Sequence, residues 1–154
     1  MKINIKEKQF NFLITCYHTI KKKYIDSKIN INVFYEKEEK EENINIELDR
    51  NKRFIRCYNF LDTTLIKIMN KDNIPEDKYL FPDFNYKNGY NHYENIQIFT
   101  AGYPENYEHK GEIFTSAWVI SKINEIDFEH TYDSEKGSSG SPLINFNRYT
   151  LWVW

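Results

Sequence analysis

Cysteine is scarce in this 154-residue chain, at two residues, Cys16 and Cys57. That excludes the disulfide-dense frameworks by which small secreted domains compensate for a thin core. Both thiols fall in apolar, strand-like runs, where a buried reduced cysteine is the expectation. Glycine and proline number only 5 and 4, too few for a collagenous or low-complexity chain. No run approaches the ~18 apolar residues of a membrane span. The start, Met1-Lys2-Ile3-Asn4-Ile5-Lys6, has no apolar segment leading into a small-residue cleavage site. An excess of one charge is missing too: Lys+Arg 21 against Asp+Glu 23 gives a net charge of -2. A nucleic-acid binder would carry a clustered basic face. These absences point to a soluble, cytoplasmic protein with neither a membrane nor a nucleic acid as partner.

What is abundant is strand-forming material, with 12 Tyr and 11 Phe beside many Ile, and with Asn and Lys suited to the connections. Phe10 to Cys16 is short, apolar and β-rich. Ile29-Asn30-Ile31-Asn32-Val33 and Ile44-Asn45-Ile46-Glu47-Leu48 alternate with a period of two. The mixed-charge run Glu36 to Glu42 joins them as a solvated hairpin tip. Phe54 to Tyr58 and Thr64 to Met69 read as further strands. Asn70 to Asn91 holds Pro75, Pro82 and Gly89 among Asp and Asn, which is loop chemistry with at most one helical turn after Pro75. Strand character resumes at Ile96 to Phe99, Glu112 to Ile120, Ile123 to Phe128, Ser141 to Phe146 and Tyr149 to Trp154. The fold class is therefore all-β, built of many short antiparallel strands. Its expected organisation is a first unit over 1–75, a connection over 76–93 and a second unit over 94–154. Only one strand is expected before His18.

Three places carry chemistry. The loop Gly137-Ser138-Ser139-Gly140-Ser141-Pro142 exposes a hydroxyl between glycines, which tolerate the unusual backbone angles of a nucleophile turn. It runs straight into the apolar strand Pro142-Leu143-Ile144, which a floppy linker does not do. Ser139 is a weak nucleophile until a base takes its proton. His18, at the end of Phe12-Leu13-Ile14-Thr15-Cys16-Tyr17, is the candidate base. Asp62, heading Thr63-Thr64-Leu65-Ile66-Lys67-Ile68, is the candidate carboxylate that fixes the tautomer of the base. Asp49 and Asp72 are rivals, but neither leads into an apolar strand. The order His, Asp, Ser is one of three unrelated chain orders in which this triad geometry recurs.

In these motifs the chain, from about Phe10 to Trp154, resembles the trypsin-like serine peptidases. The style of Ser138 and Gly140-Ser141-Pro142 is similar to the bacterial glutamyl-endopeptidase-like branch. The resemblance implies two antiparallel β-barrel units with the site between them. It implies catalysis by His18, Asp62 and Ser139 through an acyl-enzyme, with the N–H groups of Gly137 and Ser139 as oxyanion hole. One such donor is worth about 2.7–4 kcal/mol in the transition state. Ser138 stands where digestive enzymes carry the Asp that pairs with a new N-terminus, so activation by N-terminal cleavage is not expected.

For substrate binding the candidates conflict. Asp133 lies where a carboxylate selects basic side chains, while His130 suits an acidic one. The implied partner is a peptide or protein substrate, and no cofactor is called for. His92 and His109 have no companions at metal-ligand spacing, so no metal site is expected. Few residues follow Ser139, and Leu151-Trp152-Val153-Trp154 reads as an end inside a strand. The expectation is an incomplete second barrel, poor solubility and weak turnover. The alternative is a trypsin-like fold without catalysis, serving as a peptide-binding or structural module.

Overall fold

The computed structural model describes residues 1–5, 7–37, 40–82, 93–102, 114–123, 128–130, 139–145 and 149–153. The chain divides into two compact units, Met1–Leu80 and Phe81–Trp154. Among the described residues both are built of β-sheet whose pairings are antiparallel with one exception.

In the first unit, β1 (Lys2–Ile5), β2 (Lys8–Cys16), β6 (Thr63–Ile68) and β5 (Ile55–Tyr58) form a sheet in the order β1-β2-β6-β5. The alternating runs form the separate hairpin β3 (Asn30–Lys37) and β4 (Lys40–Glu47). Period-two patterning turns one face of each layer toward the other. Along β6 the side chains of Thr64, Ile66 and Ile68 are buried and those between them are half-buried. They meet Ile46 and Leu48 from the hairpin side, with Ile20, Ile25 and Ile55, in one aliphatic core. Ile46, Leu48 and Ile66 are fully buried, and each contributes roughly 1.5–3 kcal/mol on leaving water.

Two strands, not one, precede His18. The short alternation Ile3, Ile5 is masked by Lys2, which is buried with its ammonium paired to Glu76 and placed over the Tyr79 ring. A lysine facing inward reverses the usual pattern, so the strand does not announce itself. A one-turn helix α1 (Lys22–Asp26) also follows His18, closed by a Lys22–Asp26 ion pair at 2.6 Å.

The end of β6 is tied down by charge. Arg53 donates through both terminal nitrogens to Asp72, at 2.8 and 3.1 Å, and to the Lys67 carbonyl at 3.1 Å. The Met69 N–H donates to the same carboxylate at 2.8 Å. The Arg53 and Asp72 side chains are only 3 and 5% exposed.

The second unit holds one sheet in the order β10-β9-β8-β11-β12-β7. Its strands are β7 (Phe81–Pro82), β8 (Gln97–Gly102), β9 (Phe114–Ile123), β10 (Phe128–His130), β11 (Pro142–Asn145) and β12 (Tyr149–Val153). β12 and β7 run parallel. Tyr93, Ile98, Trp118, Ile120 and Leu143 make its core. The sheets are open, with β1 and β5 as the edges of the first and β10 and β7 as those of the last. No closed barrel is formed among the described residues.

Burial pushes the Asp72 carboxyl up, but Arg53 and the Met69 N–H outweigh it and hold the group below its ordinary value of 3.8. A depressed carboxyl stabilises the fold above its unfolded pKa and loses that contribution as pH falls through the folded one. We expect Asp72→Asn, which strands a buried guanidinium, to lower stability by about 3–5 kcal/mol at pH 7. The deficit should shrink below pH 3.8. Urea unfolding at several pH values checks both.

Candidate active site: a histidine–aspartate pair

His18 sits in the turn that ends β2. The Thr19 and Ile20 N–H groups both donate to the Cys16 carbonyl, at 3.1 and 3.2 Å. Asp62 sits in the turn that opens β6, where the Leu61 N–H reaches the Tyr58 carbonyl and the Asp62 N–H the Asn59 carbonyl, both at 3.2 Å. Antiparallel pairing of Cys16 with Thr63 puts these two strand ends side by side. The register therefore brings together residues far apart in sequence.

The contact they make has three parts. The Tyr17 N–H donates to the Asp62 main-chain carbonyl at 2.8 Å. The His18 N–H donates to Asp62 Oδ1 at 2.9 Å. His18 Nδ1 lies 2.5 Å from Oδ2. An ionised carboxylate only accepts, so Nδ1 carries a proton, and in the neutral imidazole Nε2 keeps the lone pair. That is the tautomer a general base needs on its outer nitrogen. Both side chains are about half-exposed, at 53 and 48%.

Asp62 holds this position with φ 43°, in the left-handed region that Asp tolerates better than most side chains. Backbone outliers of this kind cost of order 1–3 kcal/mol and persist where surrounding bonds fix them. Here the Thr63 hydroxyl also donates to the Leu61 carbonyl at 2.8 Å, closing the turn. Beneath the pair, the buried Thr64 hydroxyl holds the Ile20 carbonyl at 3.0 Å.

The rival carboxylates are engaged elsewhere. Asp49 accepts from the Asn51 N–H at 2.9 Å and pairs with Lys28 at 3.2 Å, and Asp72 is locked to Arg53. Burial raises the Asp62 carboxyl, while the His18 ring bond, the His18 and Tyr17 N–H groups and the His18 charge bring it below 3.8 overall.

Ser139 belongs to the second unit and is exposed. Gly140 beside it has φ 89°, a conformation that favours glycine. Ser141 is buried, and the Thr100 hydroxyl donates to the Pro142 carbonyl at 2.7 Å. A Cβ on Gly102 would fall on Ser141 Oγ, so the end of β8 is kept bare where the serine loop enters β11. His130 pairs with Ile120 through the backbone of β10, next to a register shift. Gly137, Ser138, Asp133, His92 and His109 lie outside the described residues.

Two features of this region go beyond the expected triad. A cavity of about 530 Å³ is lined by Tyr17, Lys22, Arg50, Arg56, Cys57 and Tyr58, with no carboxylate among the described residues that line it. In addition, Cys16 Sγ, a His18 ring nitrogen and an Asp62 carboxylate oxygen all lie within 4.8 Å of one another. Cys16 is buried, as its sequence context suggests, whereas Cys57 is half-buried. In the sequence Cys16 reads only as an apolar thiol. The spacing Cys-x-His ahead of an Asp on the neighbouring strand is the local signal for the cluster.

The chain matches no protein-family model and no curated protein. Chemically, the pair can accept a proton at Nε2 while Asp62 stabilises the imidazolium that results. We expect the Asp62 contribution to stability to be complete above pH 3.8 and lost as pH falls through its depressed value. Thermal unfolding of Asp62→Asn and the parent chain should therefore differ at neutral pH and converge in acid.

Proposed function

We propose that the chain is a serine endopeptidase in which Ser139 attacks the scissile carbonyl, His18 takes and returns the proton, and Asp62 orients His18. The observation that carries this reading is the two-point grip of one carboxylate on the His18 main-chain N–H and Nδ1. A surface ion pair needs only side-chain contact, and many such pairs contribute nothing measurable. A base that must present Nε2 in one direction needs the ring and the backbone fixed together.

The steps follow from the residues. Ser139 Oγ bonds to the carbonyl carbon as its proton moves to Nε2, and Asp62 stays ionised beside the new imidazolium. The proton passes to the leaving amine, leaving an acyl-serine. Water, deprotonated by the same nitrogen, then releases the acid and restores the hydroxyl. The N–H groups of Gly137 and Ser139 would stabilise the oxyanion. The proposal requires the two units to bring Ser139 Oγ to within about 2.6–3.2 Å of Nε2, looser without substrate. Two barrel-like halves of the trypsin type would supply such a meeting of units.

The cavity beside Tyr17 bears on specificity. Two guanidiniums, with the Lys22 ammonium already paired to Asp26, favour an acidic group on the bound peptide over a basic one. This agrees with the reading of His130 rather than that of Asp133. A non-catalytic peptide-binding module remains the second reading, favoured by the same cavity.

A fluorophosphonate probe tests the first. It should label Ser139, Ser139→Ala should abolish labelling, and Asp62→Asn should slow it by up to about 10⁴-fold. Labelling that survives Ser139→Ala would move the nucleophile elsewhere. Among peptides differing only in charge, acidic ones should show the higher kcat/KM, and Arg56→Gln should narrow the gap. An unchanged ratio would remove the cavity from substrate selection.

A further inference from the structure

We propose that Cys16, His18 and Asp62 form a binding site for a zinc-class divalent cation that switches the base off. The inference rests on the peptidase reading for its consequence, but the binding itself does not. One sulfur, one nitrogen and one oxygen donor within 4.8 Å is a mixed set that suits Zn²⁺ or Co²⁺. Mg²⁺ and Ca²⁺ prefer all-oxygen cages. Three protein ligands with a fourth position open to water is a common zinc arrangement. The half-exposed His18 and Asp62 give entry from solvent, and the buried Cys16 closes the inner side.

Tetrahedral bonds of about 2.0–2.3 Å put donors roughly 3.4 Å apart. The 2.5 Å contact between Nδ1 and Oδ2 must therefore open by about an ångström, and the ion replaces the proton that now bridges them. Nδ1 is the ring nitrogen facing Asp62, so it is the nitrogen the ion would take. Its lone pair then goes to the ion, and the neutral imidazole must carry its proton on Nε2. That is the wrong tautomer for taking a proton from a serine hydroxyl. The balance is simple. The Nδ1 proton is exchanged for one on Nε2, the Cys16 thiol becomes a thiolate, and one proton per ion leaves to solvent.

Occupancy is read without activity. Titrating the full chain with Co²⁺ should produce a thiolate-to-cobalt absorption band, and Zn²⁺ should bleach it while Mg²⁺ does not. Calorimetry in buffers of different ionisation heat should find one proton released per ion. Cys16→Ser and His18→Ala should each weaken Zn²⁺ binding by roughly 10–100-fold or more, while Cys57→Ser should not. Circular dichroism identifies any variant that fails to fold, and Asp62→Asn, with the thiol and imidazole intact, serves as the second probe of the cluster. No cobalt band on the folded parent chain, or full Zn²⁺ affinity in folded Cys16→Ser, would overturn the proposal. In the parent chain, Zn²⁺ should also slow fluorophosphonate labelling of Ser139, with the effect lost in Cys16→Ser. If cobalt binds but the probe never labels any variant, the metal site stands and the peptidase reading falls.

Discussion

One carboxylate at a strained turn organises the first unit around its chemistry. Asp62 takes φ 43°, and from there its main-chain carbonyl and both carboxylate oxygens meet three donors on two consecutive residues, Tyr17 and His18. The strand register upstream makes this possible, since β2 and β6 pair continuously from Asn11–Ile68 to Cys16–Thr63. A slip of one residue would turn Ile66 and Ile68 out of the core and carry Asp62 away from His18 at once. The aliphatic core and the site are thus specified by the same pairing. Arg53 and Asp72 fix the far end of β6 in the same manner, so the strand is held by charge at both ends and by isoleucine between.

The parts of the fold that the sequence reveals are those where period-two patterning is clean. The β3–β4 hairpin and β6 are plain because Ile alternates with Asn, Glu or Lys over several residues. β1 is hidden because Lys2 faces inward, where a lysine is not expected, and its partners Glu76 and Tyr79 are more than seventy residues away. Nothing local could reveal that pairing. α1 is hidden for a different reason, since a single turn closed by Lys22 and Asp26 carries no apolar periodicity.

The site was legible to the extent that its residues head or end strands. Asp62 stands apart from Asp49 and Asp72 because an apolar strand follows it, and those two serve a loop and a buried guanidinium instead. What stayed hidden is the main-chain half of the grip, since no side-chain pattern encodes a backbone N–H. Cys16 itself reads as a core thiol, because burial and ligation favour the same residue type, and only its spacing from His18 points to the cluster. In the second unit, the bare Gly102 against Ser141 and the φ of Gly140 show that the serine loop is shaped by steric exclusion where it joins β11. That constraint involves two strands and is invisible along one.

The central claim is that Ser139, His18 and Asp62 act as one unit, and the sharpest test is whether their losses add. Hydrolysis of an acidic fluorogenic peptide should be measured for Ser139→Ala, His18→Ala and the double variant. Members of a single catalytic unit lose activity together, so all three should fall to the same floor. Losses that multiply in the double variant, or a Ser139→Ala chain as active as its parent, would contradict the account.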